Sequence, residues 1–265
     1  MTFEPEDTDG QTIGSVGKAL DIVELVRELE PVGVTELATE LGRSKSSIHH
    51  YLATLAERGY LERDDNKYTL GLRFLTFGGT AREREHLFQL GKADADDLGD
   101  ETGEKVRLIV ERDGYGITLY QTTGDRVEET YTHVGSTEEL YCTAAGKAFL
   151  ASVPQRELDD YIGEKNLRSR TANTITSETD LRAELDRIRS SGIAFDDREY
   201  YEDVRCVASP ITRSDGSLVG MFSVSAPIDR MPENRFRGEI PNKIQNTVTV
   251  VEINTTYSGW TDSGS

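Results

Sequence analysis

The chain has only two cysteines, Cys142 and Cys206. Two thiols make no disulfide framework, and free cysteine ordinarily behaves as a small buried hydrophobe. Long apolar runs are also missing. No stretch approaches the ~18–20 consecutive apolar residues of a membrane span, and Met1–Gly10 has neither the basic nor the apolar part of a secretory signal. A cytoplasmic location is therefore expected. Histidine is confined to His49, His50, His86 and His133. No nucleophile–base motif, glycine-rich phosphate loop or clustered His/Cys spacing is visible, so no catalytic role, cofactor or metal site is expected. Lysine is scarce, supplying 8 of the 30 basic side chains.

Acid is abundant. Asp and Glu total 48, and the net charge is −18. An acid-rich, lysine-poor surface is the composition expected of an extreme halophile, because at molar salt the Debye length falls to about 3 Å and self-repulsion becomes cheap. At 265 residues the chain suits two domains, and its 36% hydrophobic content suffices for compact cores.

The first seventy residues follow a specific pattern. A helix capped at Ser15 carries Ala19, Ile22, Val23, Val26 and Leu29 on one face, and Pro31 and Gly33 end it. A second helix, with Thr35 as its cap, carries Leu37, Ala38 and Leu41 and stops at Gly42. A third starts at Ser44, with Ile48, Tyr51, Leu52 and Leu55 as its buried stripe. Two short helices joined at a glycine match a helix-turn-helix. The runs 60–63 and 67–70 flank Asp64-Asp65-Asn66 as a hairpin wing.

Charge within this region is informative. From Leu41 to Ala56 no acidic residue occurs. The window holds Arg43, Ser44, Lys45, Ser46, Ser47, His49, His50 and Thr54. Hydroxyls and helix N-terminal amides bond phosphates, and outward side chains of such a helix read base edges in the major groove. These residues, with Thr35 and the wing residues Arg63 and Lys67, are the expected contacts to double-stranded operator DNA.

Several segments together carry a family resemblance: Val34-Thr35-Glu36-Leu37-Ala38, Ser44-Lys45-Ser46-Ser47-Ile48-His49, Arg58-Gly59-Tyr60-Leu61 and Lys67-Tyr68-Thr69-Leu70-Gly71. The sequence resembles the IclR family of regulators. The likeness continues through Leu140-Tyr141-Cys142-Thr143-Ala144-Ala145-Gly146-Lys147-Ala148, Gly192–Glu199, Val204–Ala208 and Phe222–Pro227. It implies a winged helix-turn-helix joined to a GAF-like α/β domain with an antiparallel sheet, which binds small organic molecules, often carboxylates. Where the family has an arginine after the third-helix histidine, this chain has His50. Tyr141 stands where histidine is common, and Glu138 and Glu139 replace apolar and proline positions, which implies a different ligand shape at the pocket rim.

The second half reads independently as α+β. Strand-like runs at 106–111 and 116–121 flank a turn, helical patterns span 143–152 and 178–191, a second hairpin joins 205–211 to 218–225, and a last helix covers 241–257. Ser223 and Ser225 alternate with Phe222, Val224 and Ala226, so both hydroxyls share one strand face. With Thr143, Ala144, Asp196 and Cys206 they form the expected effector site, Asp196 accepting from a ligand hydroxyl and Asp197 acting as a solvated cap. The expected organisation is a winged helix at 12–75, a linker helix at 76–90, an effector domain at 91–257 and a disordered tail at 258–265. The expected function is an operator-binding regulator, a homodimer or dimer-based tetramer, modulated by a small carboxylate or sugar acid. The alternatives are a protein–protein adaptor and a thiol-based redox-sensing regulator.

Overall fold

A computed structural model describes residues 13–125 and 132–257; the expected tail at 258–265 lies outside the described residues. The chain divides into two compact units, Met1–Arg82 and Glu83–Ser265.

The first unit is built from α1 (Gly14–Leu29), β1 (Val32–Gly33), α2 (Val34–Glu40), α3 (Lys45–Glu57), β2 (Leu61–Asp64) and β3 (Lys67–Leu70). Helix α4 (Arg73–Glu83) follows. The strands form an antiparallel sheet in the order β1-β3-β2. Ile22 and Val26 of α1, Leu37 of α2, Ile48 and Leu52 of α3, and Leu61 and Tyr68 of the hairpin close one core. Burying each large apolar side chain contributes about 1.5–3 kcal/mol. Two expected caps move. Helix α1 begins at Gly14, ahead of Ser15, and the N-cap of α2 is Gly33. Thr35 lies inside the first turn of α2, because β1 pairs with β3 and delivers the chain into the helix directly at Val34.

The second unit is a six-stranded antiparallel sheet with helices on both faces. Its elements are α5 (His86–Thr102), β4 (Lys105–Arg112), β5 (Tyr115–Thr123), β6 (Thr137–Glu139), α6 (Ala144–Ser152), α7 (Gln155–Glu164), α8 (Glu178–Ser191), β7 (Ala194–Asp197), β8 (Val204–Thr212), β9 (Leu218–Pro227) and α9 (Ile240–Tyr257). One π-helical turn, Arg235–Glu239, precedes α9. The strand order is β6-β5-β4-β9-β8-β7. Strand alternation sends Phe222, Val224 and Ala226 into a core with α5 and α9. The opposite face carries Ile109 and Met221 against Leu150 of α6 and Leu181 and Leu185 of α8. Gly146 allows α6 to seat: a Cβ there would come within 2.2 Å of the Leu140 backbone.

The linker helix expected at 76–90 is divided between two helices. Helix α4 runs through Gly78-Gly79 and ends at Glu83, and α5 starts at His86. The break falls at Arg84-Glu85 because Glu85 leaves helical backbone (φ −76°, ψ 116°) as the N-cap of α5.

Candidate functional site

The acid-free segment forms the second helix of the helix-turn-helix. Ser44 caps α3, its hydroxyl accepting from the Ser47 amide at 3.2 Å. The buried stripe turns Lys45, Ser46, His49, His50 and Ala53 outward, and all five are exposed. Arg43 and Ser47 are half-buried beside them. Thr54 is exposed but bonds back to the His50 carbonyl at 2.9 Å, and Thr35 is exposed on α2. The wing residues have local partners. Arg63 Nε donates to the Asp65 carbonyl at 2.8 Å, and Lys67 Nζ lies 3.8 Å from a Glu36 carboxylate oxygen. Both remain exposed.

In the second unit, register places one polar cluster on the α6-facing side of the sheet. Lys105 pairs with Ser225, Ser225 with Cys206, and Cys206 with Asp196 across four neighbouring strands. Arg107 pairs with Ser223 in the next row. Thr143 and Glu138 border the same cavity, whose volume is about 20 Å³. Of the expected effector residues, Thr143, Asp196, Cys206 and Ser225 line this cavity, and Ser223 is completely buried alongside. Ala144 packs into the α6 core. A solvent-facing serine pair is thereby excluded. The hydroxyls of Ser223 and Ser225 and the Nε of Arg107 find no protein partner among the described residues. Orphaned buried polar groups cost about 1–3 kcal/mol each, so their convergence makes this the candidate site for a polar ligand.

Two expected roles change. Asp196 Oδ1 already accepts from the Glu199 amide at 2.6 Å. Burial, and then the charge of Glu199, push the Asp196 carboxyl up to about 7. Asp197 is no solvated cap: it is half-buried and accepts from Arg205 Nε at 2.9 Å, and its carboxyl is held low by the Arg205 and Arg198 bonds against the opposing effect of burial. Behind them, the fully buried Lys147 of α6 bonds Glu199.

The basic pair Lys105 and Arg107 and the acid Glu138, which also line this cavity, were not among the expected site residues. Two cations alternating with Val106 and Leu108 at the start of β4 were the available signal. Burial, reinforced by the charge of Arg107, lowers Lys105 to about 8, and its Nζ donates to Thr132 at 3.1 Å. Burial disfavours the Arg107 charge, but Glu138 at 2.8 Å outweighs it and raises that guanidinium. Both cysteines are buried, and burial pushes Cys142 to about 12 and Cys206 to about 11. Thiols held in the protonated form lack the thiolate character of a redox sensor.

A larger cleft of about 540 Å³ lies on the far side of β7, bordered by Glu184, Arg187, Phe195, Arg198 and Arg237. Among the described residues no His/Cys/Asp/Glu group could hold a metal ion, and no helix is long and apolar enough to cross a membrane.

A winged helix-turn-helix followed by an α/β unit with a polar sheet cavity defines a two-domain DNA-binding transcription regulator. The helix-turn-helix domain of the IclR family matches residues 15–65. The C-terminal domain of bacterial IclR transcriptional regulators matches residues 80–252. The chain belongs to the IclR family of transcriptional regulators. It is 32% identical to the probable HTH-type transcriptional regulator ArcR of Halobacterium salinarum over 245 residues, 91% of this chain and 93% of that protein. It is 26% identical to the HTH-type transcriptional regulator KdgR of Dickeya chrysanthemi, covering 88% of this chain and 77% of that one. The crystal structure of Thermotoga maritima IclR superposes with a TM-score of 0.78 at 27% identity, over 93% of this chain and all of that one.

Proposed function

We propose that α3 enters the major groove of an operator and that a small anionic effector, a hydroxy- or keto-acid, binds the polar sheet face at Ser223 and Ser225. One observation carries the DNA assignment. In a chain of net charge −18, the first turns of α3 expose Lys45, Ser46, His49 and His50, and no acid occurs from Leu41 to Ala56. A helix facing only solvent would share the acidity of the remaining surface; a phosphate-facing one cannot. The same observation disfavours an adaptor that has lost DNA binding.

The proposed contacts are Arg43, Ser44, Lys45, Ser46, Ser47, His49 and His50, with Thr35, Thr54, Arg63 and Lys67 at the margin. One such helix covers too few base pairs for a specific site, so two copies bind a two-fold operator. Exposed apolar side chains support self-association: Ile13, Val16 and Leu20 along α1, and Leu72 and Leu75 at the start of α4. The effector alters operator affinity by binding two forms of the regulator unequally. The acid-rich composition supports a working environment of high salt.

The test is operator binding on the chain's own upstream DNA over a range of salt concentrations. In the two-fold complex Arg43→Ala with Lys45→Ala removes two phosphate contacts from each copy, four in all, so the log–log salt slope falls by about 3.6. Unchanged affinity and slope refute the assignment. For the effector, Ser223→Ala with Ser225→Ala weakens binding of the responsive acid roughly 10- to 100-fold or more without altering ligand-free operator binding. The volume of the cleft beyond β7 favours a second reading, with the effector there; in that case Arg187→Ala weakens binding and the serine pair does not.

A further inference from the structure

The effector cavity, about 20 Å³, holds one water molecule and no more. Part of its wall is the protein's own carboxylate. Glu138 reaches from β6 to Arg107, with Oε1 2.8 Å from Nη1, and both side chains are more than nine-tenths buried. The pair is incompletely made. Arg107 gives Glu138 one N–H, while its Nε has no partner among the described residues. An arginine can grip a carboxylate with two parallel bonds. Ser223, the register partner of Arg107, adds an unused hydroxyl beside it. The anion position on Arg107 is therefore occupied, but by a ligand that leaves nearby donors unsatisfied.

We propose that Glu138 is a built-in competitor for the anion position on Arg107, so that an anionic effector binds by displacing its carboxylate. This rests on the effector site proposed above. The element that must yield is suited to it. Strand β6 is the sheet edge and holds to β5 through three register pairs, Thr137 to Glu139. The next residue links to α6: the Glu139 carbonyl accepts from the Thr143 hydroxyl at 2.9 Å, and that hydroxyl caps the Gly146 amide at 3.1 Å. Withdrawing Glu138 therefore pulls on the cap of α6. The internal carboxylate also sets specificity. A neutral ligand offers Arg107 less than Glu138 does and cannot replace it; an anion that forms two bonds and satisfies Ser223 can.

Pyruvate is the probe, titrated calorimetrically into the full chain. Glu138→Gln keeps an acceptor for Arg107 but removes the competing charge, and Glu138→Ala removes the side chain. Both variants bind pyruvate at least about tenfold more tightly than the unmodified chain, the worth of one charge-assisted bond. Adding Arg107→Gln to Glu138→Gln abolishes the gain. If neither Glu138 variant binds pyruvate more tightly, or neither binds it measurably, the competitor role is overturned. The serine variants separate the two ideas. Weakened pyruvate binding by Ser223→Ala with Ser225→Ala, alongside unchanged Glu138 variants, keeps the pocket and removes the competitor. Indifference of all these variants removes the pocket as well.

Discussion

Asp196→Asn tests the electrostatics of the cavity most directly. Asp196 is 5% exposed, and its carboxyl is raised from 3.8 to about 7, first by burial and then by the charge of Glu199. A carboxyl whose folded-state value lies above its unfolded value favours folding while protonated. That contribution is complete below about pH 4 and is lost as pH rises through about 7. A rise of about three units, at 1.36 kcal/mol each, sets a ceiling of about 4 kcal/mol on the loss. Asparagine presents the same Oδ1 to the Glu199 amide, now 2.6 Å away, and cannot ionise. The variant should match the unmodified chain at pH 4 and exceed it progressively up to pH 8, approaching that ceiling. Urea unfolding at fixed salt, followed by near-ultraviolet circular dichroism at several pH values, measures the difference. A stability difference that stays constant from pH 4 to 8 refutes the reasoning, and so does a variant that is less stable at pH 8.

Two further outcomes concern the same region. Lys147→Met leaves the Glu199 carboxylate buried without its cation and should cost about 3–5 kcal/mol; adding Glu199→Gln should recover most of it, and chemical denaturation of the single and double variants checks the coupling. Gly146→Ala forces a Cβ to within 2.2 Å of the Leu140 backbone and should destabilise by about 1–3 kcal/mol or more, read as a lowered melting temperature.

The elements that the sequence marked correctly are those with strong local codes. The α3 stripe of Ile48, Tyr51, Leu52 and Leu55, the hairpin around Asp64-Asp65-Asn66, and α8 at Glu178–Ser191 each satisfy periodicity and turn chemistry without help from distant residues. The one-sided serine pair on β9 follows from alternation alone. Some of the elements that escaped are short or lack punctuation. Strands β1 and β6 have two and three residues, too few to show a period. The α4–α5 break falls at Arg84-Glu85, a charged pair with no helix-breaking residue, while the Gly78-Gly79 pair lies inside a helix.

Local order along the chain thus determined the acid-free start of α3 and the shared face of Ser223 and Ser225, because 3.6- and 2-residue periods depend on neighbours in sequence. The tertiary structure alone decided that Lys105 and Arg107 of β4 lie beside those serines, that Glu138 of β6 occupies the guanidinium, and that Lys147 of α6 meets Glu199. Strand order and register are set by the summed burial of two sheet faces, and Coulomb interactions between groups more than 30 residues apart exist only once that burial has brought them together and excluded water.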